Sequence, residues 1–193
     1  MSLPASKIEI PQKEVYTYAD YALLPEGAPY QLIGGKLIMT PAPTTYHQGI
    51  SMRLEVKLAT FVIEKDLGMV YDAPVDVYLE ETENYQPDII YISKDRLHII
   101  EPAMVKGAPD LIIEILSPST AYYDLREKFK VYARHEVKEY WIVDPHEQSI
   151  EVYRGEEGKF KQIQRVEKEG KVQSVVLRGF EVEIKDIFVK LPV

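Results

Sequence analysis

Cysteine is absent from all 193 residues. That excludes disulfides, thiolate zinc sites and cysteine nucleophiles, and it leaves the redox compartment unreadable. No apolar run approaches the length that spans a bilayer. The N-terminus lacks the charged, then apolar, then small-residue pattern of a secretory leader. Cytoplasmic residence with no membrane partner is therefore expected. Positive charge is in deficit as well: 23 Lys and Arg stand against 31 Asp and Glu, a net charge of −8. Such a balance gives no support to non-specific attraction toward nucleic acid, which normally shows as a basic surface. Repeats, low-complexity tracts and a clear linker are also missing.

What remains is an ordinary globular composition, 46% hydrophobic and 28% charged. A chain of this length usually forms one domain and can bury a true core. The expected organisation is a single domain over 1–193, with residues 1–15 a loose lead-in, the core over 18–153 and a β-rich extension over 154–193. Thr17 can cap a short helix over 18–24, with Asp20 in a capping-box position. Gly34-Gly35 between two apolar segments predicts a hairpin. A helix over 46–65 can be capped by Thr44 or Thr45, with an apolar stripe of Ile50, Leu54, Leu58 and Phe61. His47 shares that face.

Strands are predicted over 70–79, 88–92 and 111–116. The third is apolar on both faces, the mark of an interior strand. Ser117-Pro118-Ser119-Thr120 breaks it and supplies a cap for a helix over 122–135, followed by a buried strand over 140–143. Beyond that point the pattern predicts strands over 150–153, 160–166, 172–177 and 180–184.

Two of these strands carry a carboxylate that apolar surroundings do not tolerate cheaply. Asp88 follows Pro87 at a strand start, and Glu114 has two isoleucines before it and Ile-Leu after it. An ionised carboxylate among such neighbours costs several kcal/mol, roughly, unless a cation or donors satisfy it. Alternation places Asp110, Ile112, Glu114 and Leu116 on one strand face. Asp88 and Glu114 can therefore meet near one sheet edge, where two acids suit a magnesium ion that keeps waters and a phosphate oxygen. On the following helix, taking Leu125 as core-facing at about 100° per residue, Phe129, Tyr132 and Glu136 fall within roughly 40° of it. Lys128 lies about 60° to one side on the same count, whereas Glu127 and Lys130 face solvent. Lys128 is the helix lysine aimed at the sheet, able to orient a water or stabilise charge on a phosphate.

Over about residues 18–153 the chain resembles the PD-(D/E)xK nuclease superfamily, specifically its Uma-type, restriction-endonuclease-like branch. The resemblance rests on Tyr30-Gln31-Leu32-Ile33-Gly34-Gly35-Lys36-Leu37, Pro41-Ala42-Pro43, His47-Gln48, Ala73-Pro74-Val75-Asp76-Val77 and Gln86-Pro87-Asp88. It continues through Gly107-Ala108-Pro109-Asp110 with the strand to Leu116 and Ser117-Pro118-Ser119-Thr120. Asp124, Lys128, Tyr132, Ala133 and Glu139-Tyr140-Trp141-Ile142-Val143-Asp144-Pro145 complete it. It implies a restriction-endonuclease-like α/β fold: a mixed central sheet flanked by helices, with the β-rich C-terminal extension. It also implies Mg²⁺-dependent hydrolysis of DNA phosphodiesters, with Mn²⁺ as a substitute. Asp88 and Glu114 would be metal ligands, the Ile115 carbonyl a third, and Lys128 catalytic. Gln31, His47 and Gln48 would be auxiliary. Two positions depart from the pattern. Leu116 stands where the usual strand lysine falls, so that role passes to Lys128, and Gln31 stands where glutamate is common.

Each residue also has a plainer reading. Asp88 can cap a strand end, Lys128 can pair with Asp124 at i,i+4, and His47 can be a core histidine. Gln48 can simply be exposed, and Asp110 can organise its loop by hydrogen bonding. Tyr122, Tyr123, Tyr132, Tyr140 and Trp141 read as packing, although Tyr122 and Tyr123 could border a substrate groove. The expected function is a metal-dependent endonuclease acting on DNA, with RNA open as a substrate and a homodimer suited to cutting two strands. A catalytically inactive binding or interaction protein on the same fold is the alternative. A glycoside hydrolase using Asp88 and Glu114 as acid and base is a further rival.

Overall fold

The structure, a computed structural model, describes residues 12–119 and 121–189. Most of the lead-in expected over 1–15 therefore lies outside the described residues, as does Thr120 of the anticipated helix cap. The described chain is α/β. It forms a six-stranded mixed sheet, a five-stranded sheet and a two-stranded ribbon, with few helices between them.

Local sequence explains the first elements. Helix α1 (Tyr18–Tyr21) starts in a capping box, with the Thr17 N–H donating to Asp20. Strands β1 (Tyr30–Ile33) and β2 (Lys36–Met39) form the hairpin, and Gly34 and Gly35 both take positive φ, as its tight turn requires. Helix α2 (Thr45–Glu64) is capped by Thr44, whose hydroxyl accepts from the His47 N–H at 3.2 Å. Its buried stripe is Ile50, Leu54, Leu58 and Val62, with Phe61 packed beside it. Each such aliphatic side chain contributes roughly 1.5–3 kcal/mol on burial.

The strand expected over 70–79 is two strands in two sheets. β3 (Gly68–Asp72) edges the six-stranded sheet, while β4 (Val77–Glu80) pairs with β5 (Glu83–Tyr85) in the five-stranded one. Pro74 stands at the crossing, and a residue without an N–H cannot continue a ladder. β6 (Ile89–Ser93) pairs antiparallel with β8 (Leu111–Ile115), and β8 runs parallel to β9 (Glu139–Asp144). The short β7 (Val105–Lys106) joins β4 in parallel. β10 (Ser149–Glu156) and β11 (Lys159–Glu167) complete the larger sheet in the order β11-β10-β9-β8-β6-β3.

Period-two alternation divides this sheet's side chains between two cores. Ile89, Tyr91, Leu111, Ile113 and Ile115 pack with α2, while Ile90, Ile92, Ile112, Tyr140 and Ile142 pack with Val131, Tyr132 and the five-stranded sheet. β8 is thus covered on both faces, as its unbroken apolar run requires. Glu114 has the parity of Ile112 and faces the second core.

The C-terminal pattern is shorter than periodicity suggested. β12 (Lys171–Gln173) and β13 (Glu181–Glu183) form the ribbon, and the one-turn α4 (Ile184–Ile187) follows. The strand expected over 172–177 stops at Gln173 because a buried acid captures the next residues. Glu139 accepts from the Ser174 hydroxyl at 2.8 Å and from the Val175 and Val176 N–H groups at 2.9 and 2.7 Å. Val172, Leu177, Phe180, Val182, Ile184 and Ile187 then join the core around α2. Among the described residues no helix is long and apolar enough to cross a membrane.

Replacing Glu139 by alanine removes the shared acceptor of this loop. The variant should lose at least about 2 kcal/mol in urea unfolding, with amide-exchange protection lost first at 174–176. Unchanged stability would show that the clasp contributes nothing.

Candidate active site

The register of β6 and β8 pairs Ile89 with Ile113, so Asp88, one residue earlier, stands across from Glu114 on the same sheet face. Asp88 Oδ2 accepts the Ile115 N–H at 2.7 Å, so this side chain does close a strand end. Its other oxygen, Oδ1, takes no hydrogen bond among the described residues. The Asp88 charge is felt at Glu114 and raises its pKa.

Glu114 is 3% exposed. Its Oε1 accepts from Lys128 Nζ at 3.0 Å and from the Tyr132 hydroxyl at 2.8 Å. Lys128, 2% exposed, also lies 2.9 Å from Asp124 Oδ1. One ammonium therefore serves two buried carboxylates. Burial drives the Glu114 pKa up; Lys128 opposes it, Asp124 and Asp88 add to it, and the result is pushed up to about 8. Burial works against the charge on Lys128, but Asp124 and Glu114 outweigh it and raise its pKa. The ammonium also stands 5.7 Å from the centre of the Tyr85 ring, within cation–π range.

The helix expected over 122–135 explains this geometry only after a correction. Residues Tyr123–Glu127 form a π-helical turn, and α3 proper is Lys128–Arg134. The wider turn changes which side chains face inward. Leu125, taken as the core reference, is 42% exposed, whereas Asp124 is 2% exposed. Glu136, placed inward by the regular wheel, is exposed past the helix end. Lys128 points at the sheet even more directly than regular periodicity suggested, and its i,i+4 pair with Asp124 forms as well. The Tyr140 hydroxyl pins the turn by donating to the Asp124 carbonyl at 3.1 Å.

From α2, His47 Nε2 donates to the Ile115 carbonyl at 3.1 Å and lies 3.5 Å from Asp88 Oδ2. Its Nδ1 is buried without a hydrogen-bond partner. Burial works against its protonation, but Asp88, the Ile115 carbonyl and Glu114 prevail and raise its pKa. Gln31 on β1 accepts the Gln86 N–H at 3.1 Å, tying the hairpin to the segment that carries Asp88. Gln48 is exposed at the rim.

These residues share one cleft of about 660 Å³, lined by Gln31, His47, Gln48, Asp88, Glu114, Ile115 and Lys128 together. Asp124 also lines it and, with Tyr132, completes the buried network. Sequence spacing gives Asp124 as the i,i+4 partner of Lys128 and Tyr132 as packing; the structure adds both to the site's network. Asp110 plays the structural part: Ser93 N–H donates to it at 2.8 Å, and Arg96 and Lys138 pair with it at 3.2 and 2.6 Å. Asp76 accepts from Tyr21 and Gln86 at 2.8 and 3.0 Å.

The donor set bears on the implied metal. Among the described residues no three His, Asp or Glu side chains group so as to hold an ion by themselves. Two carboxylates and the Ile115 carbonyl do line the cleft, and hard oxygen donors in that number fit Mg²⁺, which retains several waters. They suit neither zinc nor copper, which favour nitrogen and sulfur.

The family model described as "Uma2: Putative restriction endonuclease" matches residues 16–185. The "Uncharacterized protein sll1609" of Synechocystis sp. is 24% identical over 144 residues, covering 72% of this chain and 81% of that protein. A crystal structure of a "putative nuclease belonging to DUF820" from Anabaena variabilis has a TM-score of 0.74 at 24% identity, covering 89% of this chain and 97% of that one. At this identity the structural likeness speaks for the fold alone, which is the restriction-endonuclease-like α/β fold. With a family match that spans every site residue described above, the chain belongs to the Uma2 family of restriction-endonuclease-like proteins.

Proposed function

We propose that this protein is a divalent-cation-dependent endonuclease that hydrolyses DNA phosphodiester bonds in the cleft at the end of β6 and β8. The observation that carries this reading is the convergence of Asp88, Glu114 and a buried, charged Lys128 on one cleft. Hydrolysis adds water across a P–O bond: the attacking water gives up a proton, the departing alkoxide gains one, and negative charge grows on the phosphoryl oxygens. Lys128, held by Asp124, would present its ammonium to that charge from a fixed position, where preorganised charge is most effective. The oxygens of Asp88 and Glu114 that carry no internal hydrogen bond would face the substrate side with the Ile115 carbonyl. Mg²⁺ held there, or Mn²⁺ in its place, would polarise the phosphoryl oxygen and acidify the water. His47 would keep the Asp88 carboxylate and the Ile115 carbonyl in register, since its Nε2 contacts both.

A second reading, a nuclease fold kept for binding without catalysis, is favoured by Leu116 and Gln31. Gln31 spends its carbonyl on a backbone N–H and brings no negative charge to the cleft. Plasmid cleavage with Mg²⁺ and Mn²⁺ separates the two. Lys128→Ala should slow turnover by at least about 100-fold while cation affinity stays near the parent's. Asp88→Asn and Glu114→Gln should abolish cleavage and weaken cation binding. Parent-like cutting by both Glu114→Gln and Lys128→Ala would end the proposal. Because removing Lys128 leaves two buried acids unpaired, a loss of roughly 3–5 kcal/mol in stability is expected alongside, and Lys128→Gln provides a milder check.

The raised Glu114 pKa gives this site a pH signature. Burial, with Asp124 and Asp88 close by, pushes the Glu114 pKa up to about 8 from an ordinary 4.5. A cation needs the carboxylate, so binding should release protons below that value. Mg²⁺ affinity should therefore climb as pH rises toward 8 and level off above it. Calorimetry in two buffers of different ionisation enthalpy reads the released proton directly. Binding without proton release at pH 7 would remove Glu114 from the ligand set.

A further inference from the structure

We propose that the nucleic acid taken into this cleft is an unpaired strand entering base-first, not a continuous duplex. The inference rests on the nuclease reading for its chemistry but not for its binding. Among the residues lining the cleft, Lys128 is the one lysine and there is no arginine, whereas Asp88, Glu114 and Asp124 are all acidic. Lys128 is already committed to two carboxylates. The walls are uncharged and largely apolar, formed by Pro29, Pro43, Pro74, Pro118, Leu116 and Tyr46.

A duplex presents an approaching protein with two rows of phosphates, one about every 3.4 Å along each strand, and proteins that grip it neutralise several with Lys and Arg. One committed lysine and the single His47 cannot neutralise two such rows, and the acids of the lining repel them. An unpaired strand can rotate its bases toward the walls, leaving one phosphate to meet the acidic end where a cation is expected. The cleft, about 660 Å³, has the size of a small-ligand pocket and suits one or a few splayed nucleotides. Tyr122, three residues beyond Ser119 of the lining, is exposed and stands edge-on to Tyr123 with ring centres 5.6 Å apart. Exposed rings of this kind serve as stacking platforms for unpaired bases.

The test is fluorescence anisotropy of the full-length protein in EDTA, with a labelled 12-mer single strand, the matching duplex, and a duplex carrying an unpaired tail. The single strand and the tailed duplex should bind at least about tenfold tighter than the blunt duplex. The slope of log K on log salt should be no steeper than about −1, since the lining offers at most one phosphate contact. Ala42→Glu, on an exposed loop of the cleft wall, should weaken single-strand binding by about tenfold or more by putting an acid against the strand, with thermal stability unchanged. Equal or tighter duplex binding, a steep salt slope, no binding, or indifference to Ala42→Glu would each overturn the inference. Adding Mg²⁺ or Mn²⁺ then tests the chemistry separately. A single strand bound in this way but never cut would end the nuclease reading and leave the binding inference standing.

Discussion

The site is organised by a single ammonium shared between two buried carboxylates. Lys128 lies 3.0 Å from Glu114 and 2.9 Å from Asp124, with all three side chains nearly out of solvent. Removing three charged groups from water is costly, and one cation cannot neutralise two anions. Sharing one ammonium therefore favours a proton on one of the acids. Burial and the neighbouring acids push the Glu114 pKa up, while Lys128 keeps its charge. A site balanced in this way has a carboxyl group ready to ionise when a stronger or closer cation arrives.

Such a network does not hold a fold together; desolvation of buried ions often cancels their attraction. Its stability has to come from the apolar clusters on both sides of the large sheet. α2 seals one face with Ile50, Leu54, Leu58 and Val62, while Tyr132, Tyr140 and the five-stranded sheet seal the other. Tyr132 and Tyr140 do double service. Their rings fill the second core, 5.3 Å apart between centres, and their hydroxyls bind Glu114 and the Asp124 carbonyl. Packing is thereby converted into placement of charge.

Much of this was legible in the sequence because it depends on short-range pattern. The stripe of α2, the hairpin at Gly34-Gly35, the strands around Asp88 and Glu114, and the misplaced acids themselves all follow from alternation or helical spacing. What escaped was long-range or irregular. The π-helical turn at Tyr123–Glu127 carries no sequence period of its own, so a regular wheel turns Leu125 inward and gives Asp124 only as a helical partner of Lys128. The 70–79 segment alternates smoothly across Pro74, yet the two halves find partners in different sheets. Residues 174–177 are β-like locally but are drawn off by Glu139, thirty-five residues earlier in sequence. Tyr132 looked like packing because an aromatic ring always does; only its hydroxyl's distance from Glu114 reveals the second role.

The two departures from the family pattern gain meaning from this geometry. A lysine at position 116 would share the parity of Glu114 and bring its charge along the strand, without a companion acid. Leu116 instead packs against the second core, and its N–H continues the ladder to the Val143 carbonyl at 2.8 Å. The ammonium arrives from the helix with Asp124 one turn before it, so each positive charge added comes with a negative one. Gln31 works in the opposite direction, replacing an expected acid with a neutral amide. The cleft is left with three carboxyl groups, Asp88, Glu114 and Asp124, to one lysine. That surplus of acid is the charge a bound cation would offset on the nuclease reading.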